Sequence, residues 1–312
     1  MHTIHSLDEM KSISQPLHLA LGVFDGVHVG HQAVIKDAVD AATSQDGGVA
    51  GVLTFEPHPI RVLAPQKAPR RILASIQHKE DLLAALGIEV LVVIPFTASF
   101  AQQKASDFLE QMMASTPQLK TLAMGEDWKF GHQRAGDVQL LQKFGEKFGV
   151  AVKSAKSVML DGERVSSTRI RQAIRDGNMD AVAAMLGRQY TVLGTVIHGR
   201  QLGRTIGFPT ANLRVYNEQL PPDGVWAVEV TLTSGETYLG AGNLGMRPTV
   251  EGEGGDRLLE VHVLDYQGDL YGDDMEVRFL QFVRGERKFA SLDELQDQIR
   301  KDVILCRNQG LK

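Results

Sequence analysis

The chain of 312 residues carries a single cysteine, Cys306. One thiol closes no internal disulfide and builds no thiolate zinc site. An excess of positive charge is also missing: 33 Lys and Arg stand against 38 Asp and Glu, for a formal charge of -5. Polyanionic partners reward a basic surface, so no nucleic-acid partner is expected. No apolar run approaches the roughly 20 residues needed to span a bilayer, so no membrane partner is expected either. The opening MHTIHSLDEMKSIS lacks the apolar stretch of a signal peptide. Together these absences lead to the expectation of a cytoplasmic protein. The phosphate-binding pattern GxxxxGK[ST] is absent as well.

What is present is an ordinary globular composition, 43% hydrophobic and 23% charged. The length exceeds what one hydrophobic core usually serves, so two domains are expected. In the first part, strand-like runs at 17–24, 49–55, 88–94 and 119–124 alternate with helical patterns near 30–44, 75–86, 105–114 and 137–148. Ser75 is a fitting N-cap and Gly87 a fitting stop. This alternation predicts a parallel sheet covered on both faces, an α/β domain of the Rossmann type. A helical stretch from Ser167 through Leu186 closes it, giving a first domain over 1–186.

From Gly187 onward the texture changes. Strand-like runs at 191–198, 225–233, 237–242, 258–266 and 275–283 follow one another with Gly-rich turns, and Ser234-Gly235 fits a hairpin. Residues 187–312 therefore read as a small antiparallel barrel finished by a helix, 292–305, after a Ser291 cap.

The segment GVFDGVHVGH, Gly22 to His31, runs from an apolar strand through a glycine-containing turn into a helix. Free N–H groups and the dipole at a helix start favour anions. His28 and His31, three apart, share a helix face, and Gly30 allows close approach of a ligand to the backbone. Two imidazoles aimed at one phosphate can donate to charge that grows during displacement at phosphorus. The pair alone is equally a metal half-site or two idle surface histidines. Its place at a strand's carboxyl end, where open α/β sheets bind ligands, favours function.

TFEPHP, Thr54 to Pro59, predicts a loop stiffened by Pro57 and Pro59 at the same sheet edge. SSTRIR, Ser166 to Arg171, sets hydroxyls and arginines at another helix start, with Ser167 and Arg171 on one face. Arginine there opposes the dipole, a cost that a bound phosphate offsets. In the barrel part, GRTIGFPTANL places Thr210 and Asn212 on one side of an extended chain, either as hard oxygen ligands suited to Mg²⁺ with nucleotide phosphates or as satisfied polar side chains of a turn. Glu260, in LEVHVLDY, is a carboxylate in an apolar strand-like run, costly to bury unless paired or used. It is a candidate general base, or an edge-strand glutamate facing water.

The order GVFDGVHVGH, TFEPHP, GEDWKFGHQRAG, SSTRIR, GRTIGFPTANL, GNLGMRPTV and LEVHVLDY resembles the bacterial bifunctional riboflavin kinase/FAD synthetase family, over nearly the whole chain. The resemblance implies two ATP-dependent steps, riboflavin to FMN in the barrel and FMN to FAD with release of pyrophosphate in the α/β domain. Riboflavin, FMN, FAD and ATP are then the small-molecule substrates and products, with Mg²⁺ as cofactor. By that resemblance His28, His31 and Glu260 are catalytic. Gly22, Phe24, Asp25, Gly30, Asp127, Ser167, Thr168 and Arg171 serve the nucleotide of the first module. Gly203, Gly207, Thr210 and Asn212 serve that of the second, Thr210 and Asn212 as metal ligands. Pro57, Pro59, Asn243 and Arg284 are flavin-side candidates. Trp128 departs from the family's usual Phe and keeps an aromatic ring. A chain with one active module and a nucleotide-holding regulatory protein are the alternatives, and self-association is left open.

Overall fold

The computed structural model describes residues 1–44, 47–69, 71–199, 202–216, 218–246 and 257–309. The end of the GNLGMRPTV segment, from Arg247 to Val250, lies outside them. The chain divides into two compact units, Met1–Ser167 and Thr168–Lys312.

The first unit is built on β1 (His2–Ile4), β2 (Leu17–Leu21), β3 (Val49–Glu56), β4 (Val90–Pro95), β5 (Leu119–Gly125) and β6 (Ala151–Ala155), all parallel, in the order β1-β4-β3-β2-β5-β6. Helices α1 (Val29–Thr43), α2 (Pro59–Leu63), α3 (Ile76–Ala85), α4 (Ala105–Ser115) and α5 (Val138–Phe148) lie between them. A short hairpin of β7 (Met159–Leu160) and β8 (Glu163–Arg164) follows.

Every residue of β2 is buried, as a parallel strand covered on both faces must be. Leu17, Leu19 and Leu21 join a cluster with Phe108, Leu109 and Met112 of α4 and Leu141 and Phe144 of α5. On the opposite face Ala20 packs with Val34, Ile35 and Ala38 of α1 and Leu83 of α3. The sheet order reverses at β2: the chain moves outward through β3 and β4, then crosses to β5 on β2's other side. Such a switch point opens a crevice at the carboxyl ends of the strands, where ligands of open α/β sheets bind.

The second unit begins with α6 and α7, although α6 (Ser167–Arg175) takes its first residue from the first. The single helical stretch expected over 167–186 is broken. Gly177 takes a left-handed conformation (φ +73°), and the Asn178 side chain caps α7 (Met179–Leu186) by accepting from Ala181 N at 3.2 Å.

A closed antiparallel barrel follows, made of β9 (Thr191–Ile197), β10 (Ala211–Val215), β11 (Gly224–Leu232), β12 (Thr237–Met246), β13 (Arg257–Val263) and β14 (Asp274–Arg284) in the order β10-β13-β12-β11-β14-β9. A single-turn α8 (Leu202–Thr205) precedes β10, and α9 (Leu292–Gln309) ends the chain. Alternation on β13 buries Leu259, Val261 and Val263 and sends Glu260 and His262 to the other face. Trp226 of β11 is buried against Phe279 and Phe282, its ring N–H donating to the Pro222 carbonyl at 3.0 Å. Strands β1, β6 and β10 were not anticipated as strands; β1 is three residues long and β6 is largely polar.

Buried polar groups also stand inside the sheet. His18 of β2 is fully buried, its Nδ1 2.9 Å from Thr121 Oγ1 of β5, while its Nε2 has no hydrogen-bond partner among the described residues. Burial, followed by the charges of Lys153 and Lys120, lowers its pKa. An imidazole whose folded pKa lies below its unfolded value of about 6.5 contributes full stability above that pH and loses it as pH falls. We expect the urea midpoint of the first unit to drop between pH 7 and pH 5. The drop should be smaller in His18→Leu; an identical pH dependence in that variant would dismiss His18 as a source.

Candidate functional site

The loop between β2 and α1 lies at the switch point of the sheet. Its backbone is unusual: Phe24 (φ 51°), Gly26 (φ 83°) and Val27 (φ 43°) are all left-handed. Only glycine enters that region without steric cost, so Phe24 and Val27 store strain of the kind concentrated at functional sites. The turn ends at His28, which is the N-cap of α1 in extended conformation, its Nδ1 accepting from His31 N at 3.3 Å. A neutral His28 with Nδ1 as acceptor carries its proton on Nε2, as a donor.

The rings of His28 and His31 stack, 3.6 Å between centroids and 17° between planes. Phe24 meets His31 edge-on at 5.4 Å. The Nδ1 atom of His31 is buried with no hydrogen-bond partner among the described residues. Burial, reinforced by His28, Lys79 and Arg164, pushes the His31 pKa well below that of free imidazole. Gly30 lies against this stack: a Cβ there would come within 3.2 Å of the His28 ring.

The loop is held from three sides. The buried Asp25 carboxylate accepts from Leu73 N at 2.8 Å and Ala74 N at 3.4 Å, a backbone tie rather than a solvent-facing charge. The Val23 carbonyl accepts from Thr54 Oγ1 of β3 at 2.9 Å and from Lys79 Nζ of α3 at 3.0 Å. The Asp25 carbonyl accepts from Ser167 Oγ at 3.0 Å. That last bond brings Ser167, the first residue of α6, to the histidine loop. Arg171, further along α6, is buried. Gly22 passes close beneath Phe24, whose ring a Cβ would meet at 3.0 Å.

Asp127 follows β5 at the same sheet edge. It pairs with Arg164 of β8, and both are exposed. Trp128 stacks on Phe130 at 4.8 Å, so the aromatic that departs from the family's usual Phe is packed against its neighbour. Pro57 and Pro59 follow β3, and Pro59 opens α2 behind a His58 cap. Sequence reasoning missed Lys79, Thr54 and Arg164 as parts of this site. A lysine just inside an amphipathic helix reads as solvated, and only the fold shows it buried.

In the barrel, β10 pairs Asn212 opposite Glu260 of β13, and β12 pairs Asn243 opposite the same glutamate. Directly opposed residues share a face, so Asn212, Glu260 and Asn243 form a row on the side away from the apolar interior. Asn212 is buried, and a Cβ on Gly199 would collide with its amide at 2.2 Å. The loop before β10 is tightly folded: Phe208 N donates to Gly203 O at 2.7 Å, with Gly207 left-handed at φ +84°. His262, also missed from the sequence, has its Nδ1 2.7 Å from the Pro209 carbonyl, just before Thr210. The side chains of Thr210 and Asn212 make no hydrogen bond among the described residues. Two oxygen donors left uncommitted beside a carboxylate are a fitting set for a hard cation.

Arg284 is committed elsewhere. Its guanidinium forks onto the buried Asp302 of α9 at 2.7 and 3.0 Å, and Gln298 donates to the same carboxylate at 2.8 Å. Breaking a buried pair from one side leaves a charge without compensation. We expect Arg284→Met to destabilise the barrel unit by about 3–5 kcal/mol in urea unfolding. A loss below about 1 kcal/mol, the scale of an exposed pair, would show Asp302 to be solvated.

With this geometry in hand, similarity to known proteins is informative. The family model for FAD synthetase matches residues 10–169, and that for riboflavin kinase matches residues 186–309. The bifunctional riboflavin kinase/FMN adenylyltransferase of Haemophilus influenzae is 40% identical over 303 residues, 97% of each chain. Its counterpart in Escherichia coli K12 is 39% identical over 289 residues, 93% of this chain and 91% of that one. A crystal structure described as a macrolide-efflux protein from Streptococcus pneumoniae shares the fold over 99% of each chain, with TM-score 0.83 and 32% identity. Among the described residues no helix is long and apolar enough to cross a membrane. Two family models in tandem and relatives matched almost end to end show that the chain belongs to the bifunctional riboflavin kinase/FMN adenylyltransferase family.

Proposed function

We propose that this protein makes both flavin cofactors, phosphorylating riboflavin to FMN within residues 187–312 and adenylylating FMN to FAD within residues 1–186. The observation that carries the reading is that each unit has its own reactive constellation. One is the stacked His28–His31 pair at a helix start; the other is the Asn212–Glu260–Asn243 row on the barrel.

In the kinase step the ribityl 5′-hydroxyl of riboflavin attacks the γ-phosphorus of ATP, forming the ester bond of FMN as the bond to ADP breaks. Glu260 takes the hydroxyl proton. The oxygens of Thr210 and Asn212 would hold Mg²⁺, which would neutralise charge on the phosphates. The tight turn from Gly203 through Gly207 lets backbone approach those phosphates. Asn243, beside Glu260, orients the flavin's ribityl chain, and Arg284 serves the flavin side by anchoring α9.

In the second step a phosphate oxygen of FMN attacks the α-phosphorus of ATP, and pyrophosphate leaves. His28 and His31 donate to the oxygens on which charge builds, with the Nε2 proton of His28 fixed by its capping bond. Ser167, Thr168 and Arg171 grip the phosphates from the α6 start, and Gly22, Phe24, Asp25 and Gly30 shape the loop. Asp127 contacts the nucleotide, and the Pro57–Pro59 loop walls the flavin side.

Incubation with riboflavin, ATP and Mg²⁺, followed by separation of the flavins, tests the whole reading. His28→Ala should cut FAD formation by about 10²–10³-fold while FMN still accumulates. Glu260→Ala should cut FMN formation by about 10²–10⁴-fold yet still convert supplied FMN to FAD. Chelating the metal should stop FMN formation, and added Mg²⁺ should restore it. Unchanged riboflavin with the intact protein would sink the enzyme reading. Loss of both activities from one folded variant would sink the independence of the sites.

A further inference from the structure

Lys79 is a buried cation that the two reactions above leave without a task. It is 4% exposed, and burial lowers the pKa of its ammonium against the pull of the Asp25 and Glu56 carboxylates. It also stands four residues after the Ser75 cap of α3, in the first turn, where a cation opposes the helix dipole. Both features cost stability, so a lysine there needs a compensating role.

Among the described residues its direct hydrogen-bond partner is the Val23 carbonyl, at 3.0 Å. Thr54 Oγ1 donates to the same oxygen at 2.9 Å. Val23 immediately precedes Phe24, where the backbone turns left-handed, and the turn ends at the capping residue His28. A carbonyl fixed by two donors from two other elements defines the start of a turn that strain alone would relax.

We propose that Lys79 is a positioning residue for adenylyl transfer: its ammonium pins the Val23 carbonyl, sets the turn that presents the His28–His31 stack, and adds a positive charge to the surroundings of His31. This inference rests on the assignment of adenylyl transfer to that stack.

The charge matters because of what faces the imidazoles. Around His31 stand His28 from the same turn, Lys79 from α3 and Arg164 from β8. Around Lys79 stand Asp25 and Glu56. Stacked imidazoles 3.6 Å apart do not readily carry two protons, and a neighbouring cation disfavours even one. A His28 ring that accepts at Nδ1 has Nε2 as its donor side, and the stack gives that side a defined direction.

Lys79→Met removes the donor and the charge. We expect FMN adenylylation to fall about 10- to 100-fold, chiefly in kcat, as for a misplacement of catalytic groups by about 1 Å. Riboflavin phosphorylation by the same chain should stay at its normal rate. NMR titration of the imidazoles should show His31 taking up its proton at higher pH than in the parent protein. Lys79→Arg, which keeps the charge, should leave that titration in place. Should Lys79→Met fail to fold, Lys79→Gln keeps a donor for Val23 without the charge and must still move the titration. Adenylylation within about twofold of the parent in folded Lys79→Met, or an unmoved His31 titration in Lys79→Met or Lys79→Gln, overturns the proposal. If His28→Ala abolishes adenylylation while Lys79→Met does not, this inference alone fails. If His28→Ala leaves it intact, the underlying assignment fails first.

Discussion

A strand buried on both faces cannot continue past the sheet edge without giving its backbone groups new partners. That constraint falls hardest on β2, the central strand at which the order of the sheet reverses. Beyond Leu21 the chain leaves the ladder and passes through a left-handed turn into α1, and bonds from several other elements stabilise this exit. Thr54 and Lys79 hold Val23, the backbone at Leu73 and Ala74 holds Asp25, and Asp25 in turn anchors Ser167. The histidine stack is the product of this scaffolding. Strain at Phe24 and Val27 is tolerated because the surroundings over-determine it.

The barrel solves a related problem by different means. Antiparallel pairing sets residues from three strands side by side, so a reactive row needs only register and alternation. Asn212, Glu260 and Asn243 occupy that row because Leu213, Leu259 and Leu244, one position along each strand, are drawn inward. A one-residue slip of β13 would bury Glu260 in the apolar interior, and its cost fixes the register. Gly199 and the turn at 203–208 then close over Asn212 and Thr210, and His262 holds Pro209 in place. The α/β unit thus builds its site from a strained turn, the barrel from an unstrained ladder.

The amino-acid order by itself determined much of this. Alternating apolar runs and capped helices imposed a covered parallel sheet, and the succession of strands after Gly187 imposed a barrel, because these periodicities have few other ways to bury their apolar faces. The motifs around His28, Ser167, Thr210 and Glu260 were legible through the order in which they occur, which carries the family resemblance, because each motif taken singly is also explained by a capped helix, a turn or an edge strand. Local sequence also contains the signals of Gly177 and Asn178 that split α6 from α7, although the apolar pattern on both sides masked them. Only the tertiary structure decided which polar groups are buried together. Lys79, fifty-odd residues from the loop it supports, reads as a surface lysine until α3 is laid against the sheet. Arg284 is a flavin-side candidate by resemblance, and nothing local to it announces the Asp302 of α9 with which it pairs. The physical reason is that periodicity reports which face of an element is apolar. What a charge meets is set by which faces come together, and that depends on contacts distant in sequence.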